Sequence, residues 1–269
     1  MDLVFIMTGY GSSVNFCEVK RFFLRYGSFF NIALIRVVMA IVSIVNIYII
    51  SFAFDLEQLG NYSVFLAVAS YATQLGSFGF NQYLLREVAT TVSHKLRIKF
   101  LGNQLAFLFL IFPLALTLLL VLGYFDFMSN QSISLLSLYV FLCVFNNAME
   151  NFFLASGHPV RASLGAAFRS AWVLGFWVVL TAGISDGGVV LAVSIMISFE
   201  LLYLFINALQ LRRAVHFFTR LKKQWILDGV RVGMKYVVIG LCVLVATSVQ
   251  RLFLYHFSGE ELAGSFYFY

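Results

Sequence analysis

The chain has 269 residues, 61% of them hydrophobic and 11% charged, with 31 Phe, 2 Pro and a formal net charge of +6. Soluble domains carry about 25% charged residues, so this composition excludes a water-soluble globular protein and points to an all-α, polytopic membrane protein. The positive charge is not a nucleic-acid footprint, because the basic residues collect in particular connections, where they report orientation.

Residues 1–30 hold no secretory signal, since the apolar run Leu3 to Met7 is short and no small-residue cleavage site follows it. Val19, Phe22, Phe23, Tyr26 and Phe30 recur at helical spacing opposite Glu18, Lys20, Arg21 and Arg25, which predicts a helix lying in the inner interface. Seven apolar runs follow, at 31–54, 60–85, 100–124, 132–155, 163–183, 188–208 and 236–257, and an eighth begins at Leu262. Each complete run is near the roughly 20 residues that a bilayer requires. Pro113, inside the third, predicts a kink.

The connections alternate in charge. The N-terminus brings Lys20, Arg21 and Arg25, the second connection Arg86, Lys95, Arg97 and Lys99, the fourth Arg161, and the sixth a basic run from Arg212 to Lys235. The odd-numbered connections contain no Lys or Arg, only Asp55, Glu57, Asp126, Asp186, Glu260 and Glu261. The positive-inside rule therefore places the N-terminus and the even connections in the cytoplasm.

The opening of the stretch FDLEQLGNYSVF returns late in the chain: Phe54, Glu57, Leu59 and Phe65 recur at equal gaps as Phe257, Glu260, Leu262 and Phe268. Internal repeats of this kind are a common building rule of transporters. The expected organisation is an interfacial segment at 1–30, a six-helix N-terminal lobe at 31–208, a basic cytoplasmic linker at 209–235, and the start of a second lobe at 236–269. A cavity between two lobes needs both walls, so a product ending at residue 269 is expected not to transport by itself.

Polar side chains inside hydrocarbon are costly, so their helical phase marks the face that looks at protein or water. In the second run Ser63, Ser70, Gln74, Ser77 and Asn81 form one stripe beside Gly76 and Gly79. Arg36, Ser43 and Asn46 share a face of the first run, and Asn146, Asn147, Glu150 and Asn151 an arc of the fourth. Glu200, Tyr203 and Asn207 lie together in the sixth, and Thr247, Arg251 and Tyr255 in the seventh. Arg36, Glu150 and Arg169 sit in the cytoplasmic third of their helices, where a charge snorkels, pairs with another or meets a ligand. Glu200 near mid-span and Arg251 in the outer third read as cavity residues. The substrate-path candidates are Arg36, Asn46, Gln74, Asn81, Asn147, Glu150, Glu200 and Arg251; stripes of Asn and Gln also serve as hydrogen-bonding glue between helices.

Enzyme chemistry has no visible seat: the sequence contains no phosphate-binding loop, paired catalytic carboxylates or nucleophile constellation. The isolated Cys17, Cys143 and Cys242 and the single His residues 94, 158, 216 and 256 give no metal or disulfide framework, so no cofactor is expected.

Leu59-Gly60-Asn61-Tyr62-Ser63, Gly79-Phe80-Asn81-Gln82 with Arg86-Glu87 just inside, and Ala155-Ser156-Gly157-His158-Pro159 resemble the polysaccharide biosynthesis flippases, the Wzx-type O-antigen flippases of the multidrug/oligosaccharidyl-lipid/polysaccharide transporter superfamily. The resemblance covers nearly the whole chain. It implies two six-helix bundles around a central cavity, alternating access, and carriage of undecaprenyl-pyrophosphate-linked sugar units across a bacterial cytoplasmic membrane. It also implies a lipid-linked oligosaccharide, membrane lipids and other polysaccharide assembly proteins as partners. The chain departs from the family pattern by stopping within the eighth helix. Three alternatives stay open: a multidrug-type exporter of the same superfamily, a membrane polysaccharide polymerase, and an inactive fragment. A polymerase would need a sizeable outer loop with basic residues, and the outer connections have none.

Overall fold

The computed structural model describes residues 16–124, 130–181, 188–210 and 223–266. Its described residues form helices and no strand: α1 (Phe16–Ala53), α2 (Leu56–Gly76), α3 (Phe80–Thr90), α4 (His94–Tyr124), α5 (Asn130–Ala155), α6 (Pro159–Ser170), α7 (Trp172–Thr181), α8 (Gly188–Gln210), α9 (Lys223–Ser258) and α10 (Glu260–Phe266). Six segments are long and apolar enough to cross a membrane: Phe30–Ala53, His94–Pro113, Ile133–Ala155, Pro159–Thr181, Gly188–Leu209 and Lys223–Ala246. The chain is an all-α polytopic protein.

The expected second span, 60–85, is not among them, and it is not one helix. α2 stops at Gly76 and α3 starts at Phe80, with Phe78 (φ 45°) and Gly79 (φ 66°) both in the left-handed region. Glycine adopts that region freely, whereas a phenylalanine is strained there. Tertiary packing holds the turn. α9 presses its Gly233 carbonyl against Gly79, so a side chain at either glycine would collide with the opposing backbone. Ser77 ties the break together, donating its hydroxyl to the Gln74 carbonyl (2.9 Å) and accepting the Gly79 amide (3.3 Å). The fifth expected span is also divided, into α6 and α7, at Ala171.

Two boundaries move outward. α1 runs without interruption from Phe16, so the segment expected in the interface continues the first span. Its 38 residues extend about 57 Å at about 1.5 Å per residue, well beyond a hydrocarbon core of about 30 Å. α9 likewise begins at Lys223, inside the stretch read as linker. Trp225, Ile226 and Val230 anchor this start by packing on the cluster of Phe80, Tyr83 and Phe107. The Phe80 ring stacks on Phe107 at 3.8 Å between centroids and tilts against Trp225 at 5.3 Å. Helix α4 continues through Pro113.

α2 and α5 form the centre. α2 packs against α4, α5, α8, α9 and α10, while α5 packs against α2, α3, α4, α6 and α8. Val64, Phe65, Leu108, Leu136, Val140, Ala148 and Val193 fill the main core between them. A second core joins the end of α1 to α7 and α8, where Phe54 meets Tyr62 and Phe176 edge-on at 5.8 and 5.6 Å. α1 lies at the periphery against α6 and α7, with Val37, Ile41, Ile44, Tyr48 and Phe52 exposed, the apolar surface a lipid-facing helix presents.

The two copies of the repeated turn meet. α10 lies across the start of α2, closely enough that a Cβ on Gly60 would overlap the Glu260 carbonyl. Asn61 donates to Glu260 Oε2 at 3.0 Å, and the Tyr255 hydroxyl lies 2.9 Å from Asn61 Oδ1 and 3.0 Å from Glu260 Oε1. The acidic ends of both copies thus share one end of the bundle. At the other end Arg97 Nη1 donates to the Ser156 carbonyl at 3.4 Å, and the Arg161 guanidinium stands 3.7 Å over the Phe153 ring.

Candidate functional site

On α5, Asn146 and Asn147 lie three and four residues after Cys143 and four and three before Glu150, so a single helical face carries them. α6 brings Arg169 to that face, near its C-terminal end. α8 brings Glu200, midway along its length. Arg169 Nε donates to both Glu200 oxygens at 2.8 Å, and its Nη1 donates to Asn147 Oδ1 at 2.8 Å and Glu150 Oε1 at 3.0 Å. Asn146 Nδ2 donates to Glu200 Oε2 at 2.6 Å and to the Glu200 carbonyl at 2.9 Å. The Cys143 thiol sits 3.5 Å from Glu200 Oε1. Glu200 is 4% exposed and Asn146 fully buried, so the cluster lies inside the bundle. A buried charge of this kind persists only when it is paired and hydrogen-bonded.

Two cavities, each of about 470 Å³, reach Arg169. The first opens between α2, α5 and α9 and is lined by Ser70, Thr73, Gln74, Tyr139, Cys143, Asn147, Arg169 and Gly240. The second opens between α1, α2 and α5–α8 and is lined by Ser43, Asn46, Tyr62, Tyr139, Arg169, Ser170 and Glu200. Tyr139 and Arg169 belong to both walls. Two open cavities with mixed polar and apolar walls thus meet at one guanidinium.

The candidates from the sequence divide between these spaces and the packing around them. Gln74 lines the first cavity, and its Nε2 reaches the Tyr236 carbonyl of α9 at 3.4 Å. Asn46 lines the second and lies 3.5 Å from the Ser170 carbonyl. Asn147 and Glu200 line the first and second cavities and also hold Arg169, while Glu150 pairs with Arg169 at 3.0 Å without lining either. Asn81 lies beyond the helix break, where its Oδ1 accepts from Gln104 Nε2 at 2.7 Å; it joins α3 to α4. Arg36 is exposed on α1, two helical turns before Ser43 on the same face, and lines neither cavity. Arg251 lies in α9, and its side chain falls outside the described residues. Its neighbour Tyr255 is held at the repeat junction.

No protein-family model, curated protein or solved structure matches this chain. The geometry of the site therefore carries the functional argument.

Arg169 stands outside the set of candidates chosen from the sequence, although it is the centre of the site. Its signal was present in the company it keeps: an arginine and two glutamates in three separate apolar runs invite mutual pairing. No group of His, Cys, Asp and Glu suited to a metal occurs among the described residues.

Proposed function

We propose that this chain belongs to a flippase, which moves an undecaprenyl-pyrophosphate-linked oligosaccharide across the cytoplasmic membrane by alternating access. The observation that supports this reading is the pair of cavities, walled by both polar and apolar side chains, that meet at Arg169 inside an apolar helical bundle. A lipid-linked glycan has three chemically distinct parts. Its sugars suit walls of Asn, Gln, Ser and Tyr, its pyrophosphate suits guanidinium donors, and its tail suits the lipid that surrounds α1. Under this reading Arg36, in the first third of the segment Phe30–Ala53 and on the face that carries Ser43, captures the cargo at the cytoplasmic leaflet.

The test is made in cells that produce the protein, with lipid-linked sugar measured at the inner leaflet and polymer at the surface. Asn46→Leu combined with Gln74→Leu fills both cavities with apolar atoms. The expected outcome is accumulation of lipid-linked sugar and a severalfold loss of polymer, at unchanged protein level in the membrane. Unchanged polymer with the gene disrupted would remove the flippase reading.

A further inference from the structure

Arg169 supplies one positive charge to two carboxylates, Glu150 and Glu200. With both ionised, the cluster carries an uncompensated negative charge among membrane-spanning helices, where charge is costly. Besides Arg169, the titratable groups electrostatically coupled to Glu150 are Glu200 and Tyr203, both on α8. Arg169 is the one cation in this group, and a proton from solution would balance the second carboxylate.

The two carboxylates are not equivalent. Glu200 receives Arg169 Nε on both oxygens, with Asn146 adding to one and Cys143 to the other. Glu150 receives only Arg169 Nη1, on Oε1, and its Oε2 accepts nothing among the described residues. Hydrogen bonds to a carboxylate favour its ionised form, so the less bonded Glu150 is the carboxylate that takes up a proton. Arg169 is in turn only partly spent, since its Nη2 has no described partner while the residue lines both cavities.

We propose that Arg169 is a proton-gated anion site, in which uptake of one proton by Glu150 accompanies capture of one phosphate-like oxyanion by the Nη edge of Arg169. The proton comes from solution and converts the Glu150 carboxylate to a carboxylic acid. The cluster then has one positive and one negative charge, and the guanidinium edge that paired with Glu150 is released toward the cavities. An oxyanion arriving before the proton meets a site that is already net negative. Identifying the anion with the pyrophosphate of a lipid-linked sugar rests on the function proposed above, but the gating does not.

The experiment uses the full chain in detergent and sulfate as the probe, because sulfate stays a dianion from about pH 5 to about pH 8, a window above the free glutamate value. Sulfate affinity is expected to fall as pH rises, by at most about tenfold per pH unit, the limit for one linked proton. Adding sulfate to weakly buffered protein should raise the pH of the solution by the uptake of one proton per anion bound. Glu150→Gln should bind sulfate at every pH as tightly as the unsubstituted protein does at low pH, with no proton uptake. Arg169→Gln should not bind it. Because Arg169→Gln also strips Glu200 of its partner and can prevent assembly, the unsubstituted protein decides the matter on its own. Sulfate binding without proton uptake, or no sulfate binding at any pH, overturns the proposal, as does unaltered pH dependence in Glu150→Gln. Linked sulfate and proton binding in a protein whose disruption leaves surface polymer unchanged would support this site and reject the flippase. Polymer loss without Glu150-dependent proton uptake would do the reverse.

Discussion

Arg169 shows how a single residue sets the requirements of its surroundings. A guanidinium inside a bundle must find acceptors for its donors and a counter-charge near them, and α5 and α8 provide both. Removing a partner is therefore costlier than the pair is stabilising, because the charge left behind is largely buried without its counter-charge. Glu200→Ala is expected to lower stability by about 3–5 kcal/mol, the usual range for breaking a buried pair, measured by unfolding in detergent. Glu150→Ala should cost less, since Glu200 stays bonded to Arg169 and Asn146. Equal losses from the two substitutions would show that the carboxylates are interchangeable, contrary to their different hydrogen bonding.

At the scale of elements, the start of α2 joins cap, repeat and acidity in one place. Asp55 caps the helix by accepting the Gln58 amide at 2.8 Å, a bond that satisfies one of the otherwise unpaired first-turn donors. Glu57 then projects from the first turn of α2, and Glu260 from the first turn of α10. Charge repulsion from Glu260 is the main cause that holds the Glu57 carboxyl above its ordinary range, and a hydrogen bond between the two adds to it. A glutamate raised in this way binds its proton more readily in the docked chain than in the separated one. Its contribution to docking is therefore full below the free carboxyl value and is lost as the pH rises through the raised one. Hydrogen exchange in residues 260–266, corrected for its intrinsic pH dependence, should accelerate across that window in the unsubstituted protein. In Glu57→Gln the acceleration should be largely absent. If both chains exchange with the same pH profile, the carboxyl pair does not govern this junction.

For the whole molecule, charge divides the bundle by its ends. Asp55, Glu57, Glu260 and Glu261 gather where α2 and α10 begin, while Arg97 and Arg161 lie at the turns where α4 and α6 begin. The orientation expected from the positive-inside rule follows from that division and can be measured. In a cysteine-free background, a cysteine at the exposed Glu261 should react with a membrane-impermeant thiol reagent added to intact cells. One at the exposed Lys95 should react only after the membrane is opened. The inverse pattern would place the basic end outside. Asp126, Asp186 and Arg220, the outer and inner positions that the loop charges single out most clearly, lie outside the described residues.

Class, helicity and the approximate position of the spans were legible in the sequence, because hydrocarbon length and the cost of polar groups in lipid act on each segment separately. The polar faces were legible for the same reason: helical phase is a property of one helix. What each polar residue meets depends on the neighbour. Gln74 and Asn81 belong to one stripe, yet Gln74 borders a cavity and Asn81 bonds Gln104, because the chain breaks between them at Phe78 and Gly79. The break follows from the close approach of α9, and a hydropathy run contains no sign of it. The long α1 and the early start of α9 were likewise decided by continuation and packing across residues whose composition alone reads as interface or linker. The pairing of Arg169 with Glu150 and Glu200 required α5, α6 and α8 to meet at one depth. Sequence determines which residues need a partner inside a membrane; only the tertiary arrangement determines which partner they find, because that depends on distances between segments that the order of residues does not contain.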